Sequence, residues 1–289
     1  LNQLEISFST LGCPDWTLPQ AIDLAGRAGY DGIELRFVEG EDSLWKLPSF
    51  QSGQLAETKR HITDSGLAIC CVDTSCRFDS SNQNERDRWI VEGERMAELA
   101  GQLRAPGIRV FGDRIQPGTT RDSTRQWIAD SLTTLSQKLA HTGVEIWLET
   151  HGDFATSSEV MSILSTCPEI GVVWDSASAF IENEERPLDS GMALRTAIRH
   201  VHVKDLCEKS GEWSPALTGE GDFPLEEVGT VMNKINYRGF LSFEWEKKWH
   251  PEIEPPEVAI PHFADWFRSN WERITTQPVS SISKGGAHS

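Results

Sequence analysis

The chain has 289 residues, 38% of them apolar, with 27 Lys and Arg against 44 Asp and Glu and a formal net charge of −17. That supplies one large core, of a size that α/β barrels reach as a single unit, while the acidity argues against nucleic acid and anionic membrane surfaces as partners. No apolar run approaches the roughly 18 residues of a membrane-spanning helix.

In chain order, short apolar or β-branched runs alternate with longer stretches of helical periodicity. The first run, 4–9, opens the chain directly, without a signal-peptide pattern, and a helix is predicted over 18–28, closed by Gly29. The pairs continue as strand 32–36 with helix 55–65, 67–72 with 85–103, and 107–111 with 123–142. They end as 144–149 with 157–166, 171–175 with 192–199, 200–204 with 225–235, and 239–244 with 257–273. Eight such repeats predict a closed (β/α)8 TIM barrel over residues 1–275. The chain lacks a GxGxxG after the first strand and a P-loop, which argues against a nucleotide-binding open sheet. Residues 276–289, rich in Ser and Gly and without periodicity, are expected to form a disordered tail.

In a barrel the C-terminal strand ends converge on one site, so the polar residues closing the later runs stand out. The fifth strand ends on Glu149, the sixth on Asp175, the seventh runs through His200 and His202 to Lys204, and the eighth ends Glu244-Trp245-Glu246. Alternation puts His200, His202 and Lys204 on one face; His202 is the expected ligand, with His200 a layer deeper. Glu244 is preferred over Glu246 because it follows directly on the apolar run. Glu149, Asp175, His202 and Glu244 form a mixed oxygen and nitrogen set for one divalent ion, with Mn²⁺ favoured by its three carboxylates and Mg²⁺, Co²⁺ or Zn²⁺ as alternatives.

Around this set, Arg36 and Lys204 are expected near the mouth, where either would bind a substrate carboxylate, phosphate or enolate oxygen unless spent on Glu34 or Asp205. His151 lies two residues beyond Glu149, placed to donate to substrate or orient a ligand. Trp16, Trp45, Trp245 and Trp249 are candidates for stacking on a sugar, and the Gly219–Pro224 stretch for a rim loop. The six cysteines form no CxxC pair and read as reduced thiols of a cytoplasmic protein, with Cys76 expected to be inert.

The segments GYDGIELR at 29–36, LETHGDF at 148–154, GVVWD at 171–175, HVHVKD at 200–205, GEGDFPLEEV at 219–228 and GFLSFEWEKKWHPE at 239–252 resemble the xylose-isomerase-like barrels, the sugar phosphate isomerase/epimerase family. The resemblance covers nearly the whole chain. It implies the same four ligands, with Glu149 and Glu244 also serving as acid and base on a small carbohydrate-like substrate, and members that often pair as homo-oligomers. Family members commonly carry a substrate-contacting histidine three residues after the strand-six aspartate; here that position is Ser178. The function implied is a metal-dependent isomerase or epimerase working through an enediolate. The departure at Ser178 keeps open a metal-dependent lyase or dehydratase of a 3-keto-glycoside, keto-sugar or dehydroshikimate-like substrate.

Overall fold

Alternation along each strand decides the architecture, sending apolar side chains to a ring of helices and polar ones to a common axis. The computed structural model describes residues 4–276. Its elements run β1 (Glu5–Ser9), α1 (Leu18–Ala28), β2 (Gly32–Leu35), α2 (Leu55–Ser65), β3 (Ala68–Arg77), α3 (Gln83–Leu103), β4 (Gly107–Phe111), α4 (Arg121–Leu139), β5 (Glu145–Glu149) and α5 (Ser157–Leu164). Next come β6 (Gly171–Asp175), α6 (Ser178–Asn183), α7 (Pro187–Leu194), β7 (Ile198–Val203), β8 (Asp205–Lys209), β9 (Glu212–Ala216), α8 (Leu225–Lys234), β10 (Phe240–Phe243) and α9 (Pro256–Thr276). Eight parallel strands close in the order β1-β10-β7-β6-β5-β4-β3-β2, a TIM barrel, and β8–β9 is a separate antiparallel hairpin. Among the described residues no helix is long and apolar enough to cross a membrane.

Local signals explain the element ends. A capping box between Thr17 and Gln20 starts α1, and Gly29 ends it in the left-handed conformation. The helix expected over 192–199 lies earlier in the chain, because Pro187 takes its first turn and Ile198 already belongs to β7. Thr276 closes α9 rather than opening a tail, and the rest of the expected tail lies outside the described residues. The hairpin β8–β9 and the short α6 had no counterpart in the predicted elements.

Outward-facing Ile33, Leu35, Ile108, Val110, Ile146, Leu148, Val172, Val201 and Leu241 join the helices in one buried cluster. Each fully buried aliphatic side chain contributes about 1.5–3 kcal/mol. The axis is different. Its floor is a small separate cluster of Cys71, Trp147 and Val173, with the Trp147 indole stacked on His200 at 5.8 Å. Glycines on both neighbouring strands make room for that indole: a Cβ on Gly107 would meet Trp147 Cε2 at 2.4 Å, and one on Gly171 would meet its Cδ1 at 2.6 Å. Gly107→Ala is therefore expected to destabilise the protein by about 1–3 kcal/mol through overpacking. An unchanged urea midpoint would contradict this packing.

Candidate metal centre

Above that floor the barrel interior is built of charged side chains. His200 and His202 both direct Nε2 at one oxygen of buried Glu34, His202 at 3.1 Å. With its Nε2–H donated to Glu34, His202 turns Nδ1 toward Glu149 Oε1 at 3.3 Å and Glu244 Oε1 at 3.4 Å. A carboxylate behind a histidine fixes the ring's tautomer and orientation, as it does behind metal-binding histidines. Arg109 bridges Asp73 at 3.1 Å and Glu149 at 3.0 Å. Asp175 accepts from the Ala177 and Ser178 amides at 2.9 and 3.2 Å and from Ser178 Oγ at 2.8 Å. Lys204 Nζ lies 2.9 Å from Asp175, 2.6 Å from Glu244 and 2.6 Å from Glu246.

One ligand atom from each of Glu149, Asp175, His202 and Glu244 lies within 4.8 Å of the others, and all four residues are buried. They come from adjacent strands β5, β6 and β7 and from the end of β10. The donor set fits a divalent ion, since three carboxylates and one imidazole bring one ligand atom each within reach of a common centre. Glu34, Asp73, Glu149, Asp175 and Glu244 are carboxylates with two fixed cations among them, Arg109 and Lys204.

Burial and the nearest charges set the titration of each of these groups. Burial raises Asp73 well above the usual carboxylate range, against the pull of Arg109. Burial likewise raises Glu244, although Lys204 and His202 oppose it. For Glu149 burial is outweighed by the charges of Arg109 and His202, and for Asp175 by Lys204, so both are lowered. Burial alone would lower His202, but Glu34, Glu244 and Glu149 hold it well above its ordinary value. His200 goes the other way, lowered by burial despite Glu34.

The three carboxylates of the quartet, Glu149, Asp175 and Glu244, line a cleft of about 790 Å³. Arg36, His151, Ser178 and Lys204 line it, as do Trp249, Trp213 and Glu246. His151 packs its ring on Phe111 at 4.7 Å and sets Nδ1 3.3 Å from Asp113. Their loops meet closely: Gly152 is left-handed, and a Cβ there would meet the Asp113 carbonyl oxygen at 2.4 Å. Arg36 and Lys204 do not pair with Glu34 and Asp205. Arg36 Nη2 donates to Ser75, and Asp205 instead accepts from the Gly219 and Gly221 amides.

Several expectations are corrected. Trp245 is not a substrate-facing residue: the pleat that points Glu244 and Glu246 inward turns Trp245 outward, where it is buried, stacks on Phe243 and donates to the Glu254 carbonyl. Trp16 and Trp45 do not line the cleft, and neither does the 219–224 loop, which Asp205 ties down; Leu206, Trp213 and Pro215 of the hairpin form that wall. Ser178 reaches the cleft but gives its hydroxyl hydrogen to Asp175. All six cysteines are free, and burial pushes Cys76 up to about 12. Glu34, Asp73, Arg109 and Asp113 were missed as site residues; for the first three a charge at inward parity in a strand was the available signal, while Asp113 lies in the loop after β4.

The family model of the xylose isomerase-like TIM barrel matches residues 22–270. No curated protein matches the chain by sequence. Among solved structures, the IolI protein with a bound zinc is similar at 17% identity and a TM-score of 0.78, over 95% of this chain and 100% of that one. The 3-keto-D-glucoside 4-epimerase of E. coli is similar at 18% identity and 0.75, over 92% and 100%. A probable 3-DHS dehydratase of petrobactin synthesis from Bacillus anthracis is similar at 18% and 0.74, over 92% and 99%.

Proposed function

Because this chain belongs to the xylose isomerase-like TIM barrels, we propose that it is a divalent-metal-dependent isomerase or epimerase of a small sugar derivative. The observation that carries this is the convergence of Glu149, Asp175, His202 and Glu244 within 4.8 Å, with the three carboxylates lining a cleft. A divalent ion held there, Mn²⁺ by preference for the hard donor set, would supply Lewis-acid stabilisation of charge developing on neighbouring substrate oxygens. Glu149 and Glu244 flank that position from strands on either side of β6 and β7. One, as carboxylate, takes the proton from carbon next to a carbonyl, and the other, as carboxylic acid, gives its own proton at the neighbouring carbon or on the opposite face. Glu34 holds His202 in the required tautomer, and Arg109 holds Glu149 in place.

A second reading, elimination from a keto-glycoside or a dehydroshikimate-like ring, is favoured by one observation. Ser178 spends its hydroxyl on Asp175, so that position offers no proton donor to polarise a substrate oxygen. His151, raised by Asp113 and Glu149 against the effect of burial, stands in the cleft as a proton donor for a leaving group.

Both readings begin with the same proton transfer, so Mn²⁺-loaded protein in D₂O is the test. Among ketoses, keto-uronates and 3-keto-glucosides, the accepted substrate is expected to lose the hydrogen on the carbon next to its carbonyl, and an isomerised or epimerised product to carry deuterium where a proton is put back. An epimer then supports the first reading and an unsaturated or cleaved product the second. An isomerised product without solvent deuterium would point to hydride shift and end the first reading, and hydrolysis with no unsaturated product would end both.

A further inference from the structure

Of the cations lining the cleft, most are already matched. Arg77 and Arg114 are half exposed and paired with Asp113 and Glu182. Arg109 has two carboxylates and Lys204 three. Arg36 is different: its side chain is 7% exposed, and its nearest carboxylate, Asp42, lies 3.9 Å from Nη1. That distance is too long for a hydrogen bond. Buried Nη1 has no hydrogen-bond partner among the described residues. Nη2 donates to Ser75 Oγ at 2.8 Å, and Ser75 in turn donates to Asp42 at 2.6 Å, so the guanidinium is held in place. Phe37 supports it from behind, with the guanidinium carbon 4.4 Å from the ring centre. A buried, fixed guanidinium with an unspent donor costs desolvation that only a ligand facing it would offset.

We propose that Arg36 is the anchor for a carboxylate of the substrate, which makes the substrate class a hydroxy-keto acid rather than a neutral sugar. The inference rests on the proposed function only in placing the reacting end of the same ligand at the quartet. A guanidinium with Nη2 already spent on Ser75, and with Asp42 close by, suits a singly charged carboxylate. A phosphate brings more negative charge and three acceptor oxygens, and needs several donors. Asp42, Asp113 and Glu246 on the same walls disfavour the second charge further.

The test is calorimetric binding to the full chain, with and without Mn²⁺, of D-fructuronate, D-fructose and D-fructose 6-phosphate. Fructuronate carries a carboxylate in place of the terminal hydroxymethyl of fructose, so the pair isolates that group. Fructuronate is expected to bind about 10- to 100-fold more tightly than fructose, the range of one charge-assisted hydrogen bond. Arg36→Gln should erase the preference while leaving Mn²⁺ and fructose binding unchanged. Asp42→Asn should strengthen fructuronate binding several-fold without affecting fructose, and it carries the test if Arg36→Gln does not fold. Equal binding of the acid and the sugar, an equal loss of both in Arg36→Gln, or tightest binding of the phosphate would each overturn the proposal. Loss of Mn²⁺ binding alone, with the Arg36-dependent preference intact, would strike the metal-dependent function and leave this site standing.

Discussion

Glu149→Gln and Glu244→Gln are each expected to slow turnover by roughly 10²–10⁴, the usual loss when a positioned acid or base is removed. Both substitutions keep an amide oxygen that can still face Arg109 or Lys204, so each replaces a titrating carboxylate with little change of shape. The effect should fall on turnover number more than on substrate affinity, because the proton is in flight only in the transition state. The rate of deuterium incorporation from D₂O reads this directly. Wild-type exchange in either variant would remove that residue from the acid–base pair. Weakened Mn²⁺ binding in the same variants would add to the loss, and a metal titration separates the two contributions.

His202→Ala and His200→Ala are expected to part company, although both remove a buried imidazole that faces Glu34. His202 is the member that presents Nδ1 to Glu149 and Glu244; without it the quartet loses its only nitrogen donor. Mn²⁺ at 100 times its dissociation constant stabilises a folded protein by about 2.7 kcal/mol, or roughly 5–10 °C in melting temperature for a domain of this size. That shift should appear in the wild type and in His200→Ala and vanish in His202→Ala. His200→Ala should instead melt lower with and without metal, since it opens a cavity beside Trp147. Equal metal-induced shifts in the two variants would refute the division of roles between the histidines.

How much of this was legible in the sequence depends on where a residue sits along its strand. Glu149, Asp175 and Glu244 stand at the ends of apolar runs, where a polar residue breaks the pattern visibly, and strand order in a barrel brings such ends together. Asp73 closes the third run directly after Val72, but Glu34 and Arg109 lie inside theirs, between Ile33 and Leu35 and between Ile108 and Val110. There, one charge in an apolar strand is easily taken for a surface residue, whereas in a closed barrel the alternate face is the axis. Trp245 shows the converse error: its place beside the loop after the last strand made it a stacking candidate, but the strand period of two places it on the far side. Hairpin β8–β9 was hidden because Asp205–Ala216 carries Glu, Lys, Ser and Gly rather than a β-branched pattern. The unspent donor of Arg36 was not legible at all, because Ser75 and Asp42 reach it from other segments of the chain.

The most direct measurement is a calorimetric titration of Mn²⁺ into chelator-stripped protein, wild type beside His202→Ala. One ion per wild-type chain, with binding by His202→Ala weakened beyond the roughly 10- to 100-fold loss typical of a supporting residue, is the expected result. No binding by the wild type, or equal binding by the variant, would contradict a metal centre built from Glu149, Asp175, His202 and Glu244.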